Sequence, residues 1–141
     1  MNILSLLLFN EKSKRMYKSE IQTVCKWLDI KVPHRIFFIP AEMDEKRDFG
    51  GRYHNKKNII LILIPSSFSQ MLCERVIRTI THEIIHFYQN QLGMDMSNNN
   101  EREIEAIALT NAYMLDRNSQ NVTVGKVREY FSRTSGGNAP E

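Results

Sequence analysis

Cysteine is scarce in this chain of 141 residues: Cys25 and Cys73 stand 48 positions apart without CxxC spacing. Two thiols so placed suggest neither a disulfide framework nor a thiolate zinc cluster, and both are expected as small core residues. Glycine and proline are also few, 6 and 4 residues, and no triplet, heptad or longer period recurs, which excludes collagen-like, coiled-coil and solenoid architectures. Long apolar runs are missing. The longest, residues 59–64, falls far below the ~20 residues a bilayer crossing needs. The apolar stretch 3–9 has no basic residues ahead of it and no small-residue cleavage site behind it, so the expectation is an unexported, cytoplasmic protein with no membrane partner.

What is present suits one globular domain with a continuous core: 42% of residues are hydrophobic and 25% charged, at a length too short for two full domains. That domain is expected over residues 1–135, with 136–141 as a frayed tail. The net charge of +3 is uneven, with 12 Lys and Arg against 7 Asp and Glu in residues 1–57, and 7 against 9 afterwards. A basic amino-terminal half leaves a nucleic-acid partner open, although the same excess also describes an ordinary solvated surface.

Residues 14–30 place Tyr17, Ile21, Val24 and Leu28 at helical spacing ahead of Pro33, which predicts an amphipathic helix. Residues 36–39 read as a strand closed by Pro40. Segments 51–54 and 59–64 read as a hairpin around the turn 55–58. After Pro65, Ser67-Phe68-Ser69-Gln70 has the capping-box pattern, so a long helix should begin there, with Leu72, Val76, Ile77, Ile80, Ile84 and Phe87 buried and Gly93 as a left-handed stop. Another helix is expected over 100–117 with Ile104, Ala108, Ala112 and Leu115 as its core face, and a short one over 124–132 that docks Val127 and Phe131. The fold class is α+β.

Inside the long helix the chain reads Thr81-His82-Glu83-Ile84-Ile85-His86, an HExxH pattern. At 3.6 residues per turn the two histidines lie about 40° apart on one helix face, one turn above each other, so both imidazoles can reach one zinc ion. Glu83 is offset by about 100° from His82, beside the open coordination position, where a carboxylate can act on bound water. Zinc lowers the pKa of its water towards ~7, and the carboxylate can take that proton and return it to a leaving amine. The pattern would arise in roughly one shuffled chain of this composition in a hundred. Its place mid-helix, among hydrophobic residues, strengthens it.

A third ligand is required. The continuation Phe87-Tyr88-Gln89-Asn90-Gln91-Leu92 lacks the glycine and third histidine of the HExxHxxGxxH arrangement. Cys73 is nine residues before His82 on the same helix and cannot fold round to it. The next helix offers Glu101, Glu103 and Glu105. Glu103 is favoured, because Ala106 three residues later would let the two helices pack closely, and Glu105 is the alternative. Asn100 and Glu103 could instead form a capping pair, and Glu101 and Glu105 could be carboxylates complementing the helix dipole.

On His82-Glu83-Ile84-Ile85-His86, Glu103-Ile104-Glu105-Ala106 and Gly51-Arg52-Tyr53 ahead of strand 59–64, the chain resembles small gluzincin-type zinc peptidases, similar to SprT-like and ImmA/IrrE-type domains, over roughly residues 14–117. The resemblance implies a zincin-like single domain: an amino-terminal helix, a small three-stranded sheet, the active-site helix and a glutamate-bearing helix. It implies His82, His86 and Glu103 as zinc ligands, Glu83 as general base, and a sheet edge that holds an extended peptide by strand addition. The Ile107, Leu109 and Thr110 that follow depart from the usual ImmA/IrrE continuation, and no cysteine after Cys73 supplies the zinc ribbon often joined to SprT-like domains.

Tyr113, His54, Arg52 and Tyr130 are candidate oxyanion donors, and Lys56-Lys57 with Arg52 and His54 could contact phosphate or simply protect a hairpin edge. The expectation is a zinc-dependent metallopeptidase acting on a protein or peptide. The alternatives are a zincin-like binding module without catalysis and a DNA-associated, SprT-like protease.

Overall fold

The structure is a computed structural model that describes residues 3–41, 50–65, 70–94 and 98–117. Helix α1 (Ile3–Leu28) precedes strands β1 (Ile36–Ala41), β2 (Gly51–His54) and β3 (Ile59–Pro65), and helices α2 (Gln70–Gln91) and α3 (Asn99–Arg117) follow. The architecture is the expected α+β arrangement of an amino-terminal helix, a three-stranded mixed sheet and two helices packed together. The capping box at 67–70 falls largely outside the described residues, and the helix expected over 124–132 and the tail 136–141 fall wholly outside them.

Helix α1 begins eleven residues earlier than periodicity indicates, because the Leu-rich segment 3–9 contains no glycine or proline to stop a helix. It ends at a Schellman turn: Asp29 takes φ 57°, its amide donates to Lys26 O at 3.1 Å, and the Ile30 amide donates to Cys25 O at 2.9 Å. The same device closes α2. Gly93, at φ 74°, donates to Asn90 O, and Met94 donates to Gln89 O, both at 3.1 Å.

Strand β3 is central, parallel to β1 and antiparallel to β2, so among the described residues β2 forms one edge of the sheet. Alternation along β3 buries Ile60, Ile62 and Ile64 on one face. These pack with Tyr17, Ile21, Val24 and Leu28 of α1 and with Val76, Ile77, Ile80 and Ile84 of α2 into one core. Trp27 and Tyr113 close the α1 and α3 side edge-to-face, with ring centroids 5.4 Å apart.

Helix α3 is rotated from its expected orientation. Ile104 and Leu115 are 56% and 48% exposed, while Glu105, Ala106, Leu109, Ala112 and Tyr113 are buried. Hydrophobic spacing pointed to the Ile104 stripe, but the helix instead brings Glu103 and Glu105 towards α2. Its cap is also two residues earlier than Asn100: Asn98 Oδ1 accepts the Glu101 amide at 3.3 Å. Asn100 and Glu103 therefore do not form the cap, which leaves the Glu103 carboxylate available to the neighbouring helix.

Candidate metal centre

The HExxH turn of α2 is anchored from behind. Ile80, Ile84 and Ile85 are fully buried, and the Thr81 hydroxyl, also buried, donates to Ile77 O at 2.8 Å. With that face fixed in the core, His82 and His86 project on the side where α3 crosses. Ala106, which has no exposed surface, permits the close approach of the two helices.

Three ligand atoms converge there. His82 Nε2 and His86 Nε2 are 3.1 Å apart, Glu103 Oε2 is 3.2 Å from His82 Nε2, and Glu103 Oε1 is 2.7 Å from His86 Nε2. The imidazoles meet edge-to-face at 88°. Metal bonds of ~2.0–2.2 Å in a tetrahedron place neighbouring ligand atoms about 3.3 Å apart, so these separations describe the edges of a site the size of one small cation. Two imidazole nitrogens and one carboxylate oxygen form a donor set that suits zinc. His82, His86 and Glu103 thus make a group able to hold a metal ion.

Burial and the charge of His86 push the His82 pKa down, with Glu103 opposing the shift. The neutral imidazole, the form able to bind a metal ion, is favoured in that pocket. Glu83 is buried beside the histidines, and desolvation pushes its carboxyl above the usual carboxylate range. The charges of His86 and Arg52 and a hydrogen bond donated by the Tyr53 amide pull it back. Because Leu63 N–H donates to Gly50 O at 2.7 Å, alternation along β2 turns the Tyr53 N–H away from β3 and towards the sheet edge, where Glu83 receives it.

Two clefts share Gly51 and Glu83 as lining. One, of about 380 Å³, runs between Gly50, Thr79, His82 and Ile107. The other, of about 430 Å³, is bordered by Arg52, Asn55, His86, Arg102 and Glu103. Close contact of β2 with α2 depends on missing side chains: a Cβ on Gly51 would stand 2.7 Å from Leu61 O and 2.8 Å from Thr79 Cγ2.

Of the residues singled out from the sequence, His82, His86 and Glu103 come together and Glu83 sits beside them. Glu105 does not join the group; its carboxylate is buried and accepts a hydrogen bond from Gln89 Nε2 at 3.2 Å. Arg52 lines a cleft at the site. Tyr113 is buried against Trp27 with its hydroxyl 3.4 Å from Glu20 Oε2, so the packing of α1 against α3 explains it. His54 is exposed at the end of β2, Lys56 and Lys57 are exposed in the hairpin turn, and Tyr130 lies outside the described residues. Cys73 is half-buried on α2 with a free thiol, and Cys25 is buried in the core. Among the described residues no helix is long and apolar enough to cross a membrane.

Sequence reading missed Gln89, which has no exposed surface and whose Oε1 lies 2.9 Å from His86 Nδ1. Its i+3 spacing from His86 was the available signal. Compared with known proteins, the chain matches no family model, no curated protein and no solved structure, so the site stands on its own geometry.

Proposed function

We propose that the protein is a zinc-dependent metallopeptidase, with His82, His86 and Glu103 holding the ion and Glu83 acting as general base. The observation that carries this reading is the convergence of three ligand atoms within 4.8 Å of one another beside a buried carboxylate at the meeting of two clefts. Zinc bound there supplies a Lewis acid and a water of lowered pKa.

The chain's own groups account for the remaining chemistry. Glu83 takes the proton of the attacking water and delivers it to the departing amine, and the upward pull of burial on its pKa brings it closer to the pH at which such a base works best. The Tyr53 N–H holds that carboxylate towards the β2 edge. Outward-facing backbone of Gly51 on the same strand offers an extended peptide a pairing partner along the clefts. Arg52, whose charge reaches Glu83, is the candidate donor to the developing oxyanion.

The test is metal stoichiometry followed by cleavage. Wild-type protein should bind one zinc ion, His82→Ala and Glu103→Ala should lose it, and Glu105→Ala should retain it. A broad peptide pool should be cut by the zinc-loaded wild type and left intact by Glu83→Gln. Equal product from both proteins would remove Glu83 as the base. Zinc binding without any cleavage would leave a binding module in place of an enzyme.

A further inference from the structure

We propose that Gln89 is the positioning residue of the metal centre: one buried amide sets the tautomer of His86 and fixes the register of the helix that carries Glu103. The inference rests on the reading of His82, His86 and Glu103 as metal ligands and concerns how this chain presents them.

The hydrogen-bond logic starts on α3. Gln89 Nε2 lies 2.9 Å from the Arg102 carbonyl oxygen and 3.2 Å from Glu105 Oε1. A backbone carbonyl only accepts, so the NH2 end of Gln89 must face α3. The amide oxygen then faces His86, where Oε1 is 2.9 Å from Nδ1. An oxygen there only accepts, so Nδ1 carries the proton. In the neutral ring Nε2 is left with its lone pair, and Nε2 is the atom that meets His82 Nε2 and Glu103 Oε1. Reversing the amide would set its oxygen against the Arg102 carbonyl and a buried carboxylate, with no exposed surface through which water could relieve them.

The same amide reaches both sides of Glu103. Arg102 and Glu105 are three residues apart, about 4.5 Å along the helix axis, and Gln89 holds both while Glu103 lies between them. A slip of α3 by one residue would break these two bonds and carry Glu103 away from the histidines. Gln89 therefore acts on two of the three ligands while touching no metal itself. Glu105 takes its place here as the acceptor that keeps the amide oriented.

Two measurements on the full chain test this. In zinc-loaded wild-type protein, long-range 1H–15N correlation of the histidine side chains should show the His86 proton on Nδ1, and Gln89→Met, which removes its acceptor, should make that proton exchange faster with solvent. By chelator competition with zinc, Gln89→Met should weaken binding roughly 10–100-fold, the usual cost of losing such an outer partner, with far-ultraviolet circular dichroism unchanged.

A wild-type His86 protonated on Nε2 would overturn the proposal, as would Gln89→Met binding zinc as tightly as wild type. The wild-type spectrum needs no variant, so a Gln89→Met protein that failed to fold would leave that arm decisive. Absence of zinc binding in the wild type would refute the metal reading itself. Zinc binding with the wrong tautomer would refute this inference alone.

Discussion

Replacing Gly51 with alanine drives one methyl group into three neighbours. The added Cβ would lie 2.7 Å from Leu61 O, 2.8 Å from Thr79 Cγ2 and 3.2 Å from Ile62 Cδ1, where carbon contacts settle at ~3.5–4.0 Å. Relief therefore requires movements approaching 1 Å, by this comparison of separations. The Thr79 methyl can yield by a change of rotamer, but Leu61 O is backbone of the central strand and cannot turn aside without disturbing the sheet. Overpacking of this kind costs about 1–3 kcal/mol, or a fall of roughly 3–10 °C in Tm for a domain of this size.

Gly50→Ala is the matched control, since the three atoms nearest its Cβ all belong to the Thr79 side chain, with Oγ1 at 2.8 Å. Thermal melts of both metal-free variants should rank Gly51→Ala clearly below Gly50→Ala. Because β2 must move off α2, the Tyr53 amide should also withdraw from Glu83, and amide exchange at Tyr53 should accelerate. Equal melting temperatures for the two variants, or a Gly51→Ala protein within about 0.5 kcal/mol of wild type, would refute the packing argument.

Three further outcomes follow from burial and charge. Glu83 holds its proton more tightly folded than unfolded, so the metal-free fold gives up stability as pH rises through its raised pKa. Glu83→Gln should abolish that loss and raise the apo-protein Tm at neutral pH, and an unchanged or lower Tm would contradict it. Burial pushes the Cys25 thiol from about 9 up to about 11. Its contribution to stability is thus whole below pH 9 and lost as pH rises towards 11, by up to roughly 2–3 kcal/mol. Chemical denaturation of Cys25→Ala across that window should show a shallower alkaline decline than wild type; identical slopes would sink the assignment. Ala106→Leu inserts bulk where α3 meets α2, at a residue with no exposed surface. It should cost about 1–3 kcal/mol and weaken zinc binding as Glu103 is lifted from the histidines, whereas unchanged affinity would show that close packing does not set the ligand distance.

Much of the architecture was legible because local rules and tertiary packing agreed. The α1 stripe Tyr17, Ile21, Val24 and Leu28, the hairpin 51–54 with 59–64, and the left-handed stop at Gly93 all occur where spacing placed them. The early start of α1 was not legible, since an apolar run shows no period of its own. On α3 the expected face held at Ala112, which is buried, but not at Ile104 and Leu115, which are exposed. Helix orientation there follows a rival apolar stripe, Ala106, Leu109 and Tyr113, together with polar pairing across to α2.

The sequence by itself determined that two imidazoles and a carboxylate share one helical surface, because 3.6 residues per turn places His82, Glu83 and His86 whatever surrounds them. It also supplied a buried stripe to hold that helix down. Which downstream glutamate meets the histidines was decided only in three dimensions: helix spacing leaves Glu103 and Glu105 both eligible, whereas the Asn98 cap, the small Ala106 contact and the Gln89 amide set the rotation and register of α3. Those contacts join residues from separate elements, and their geometry exists only once the helices have packed.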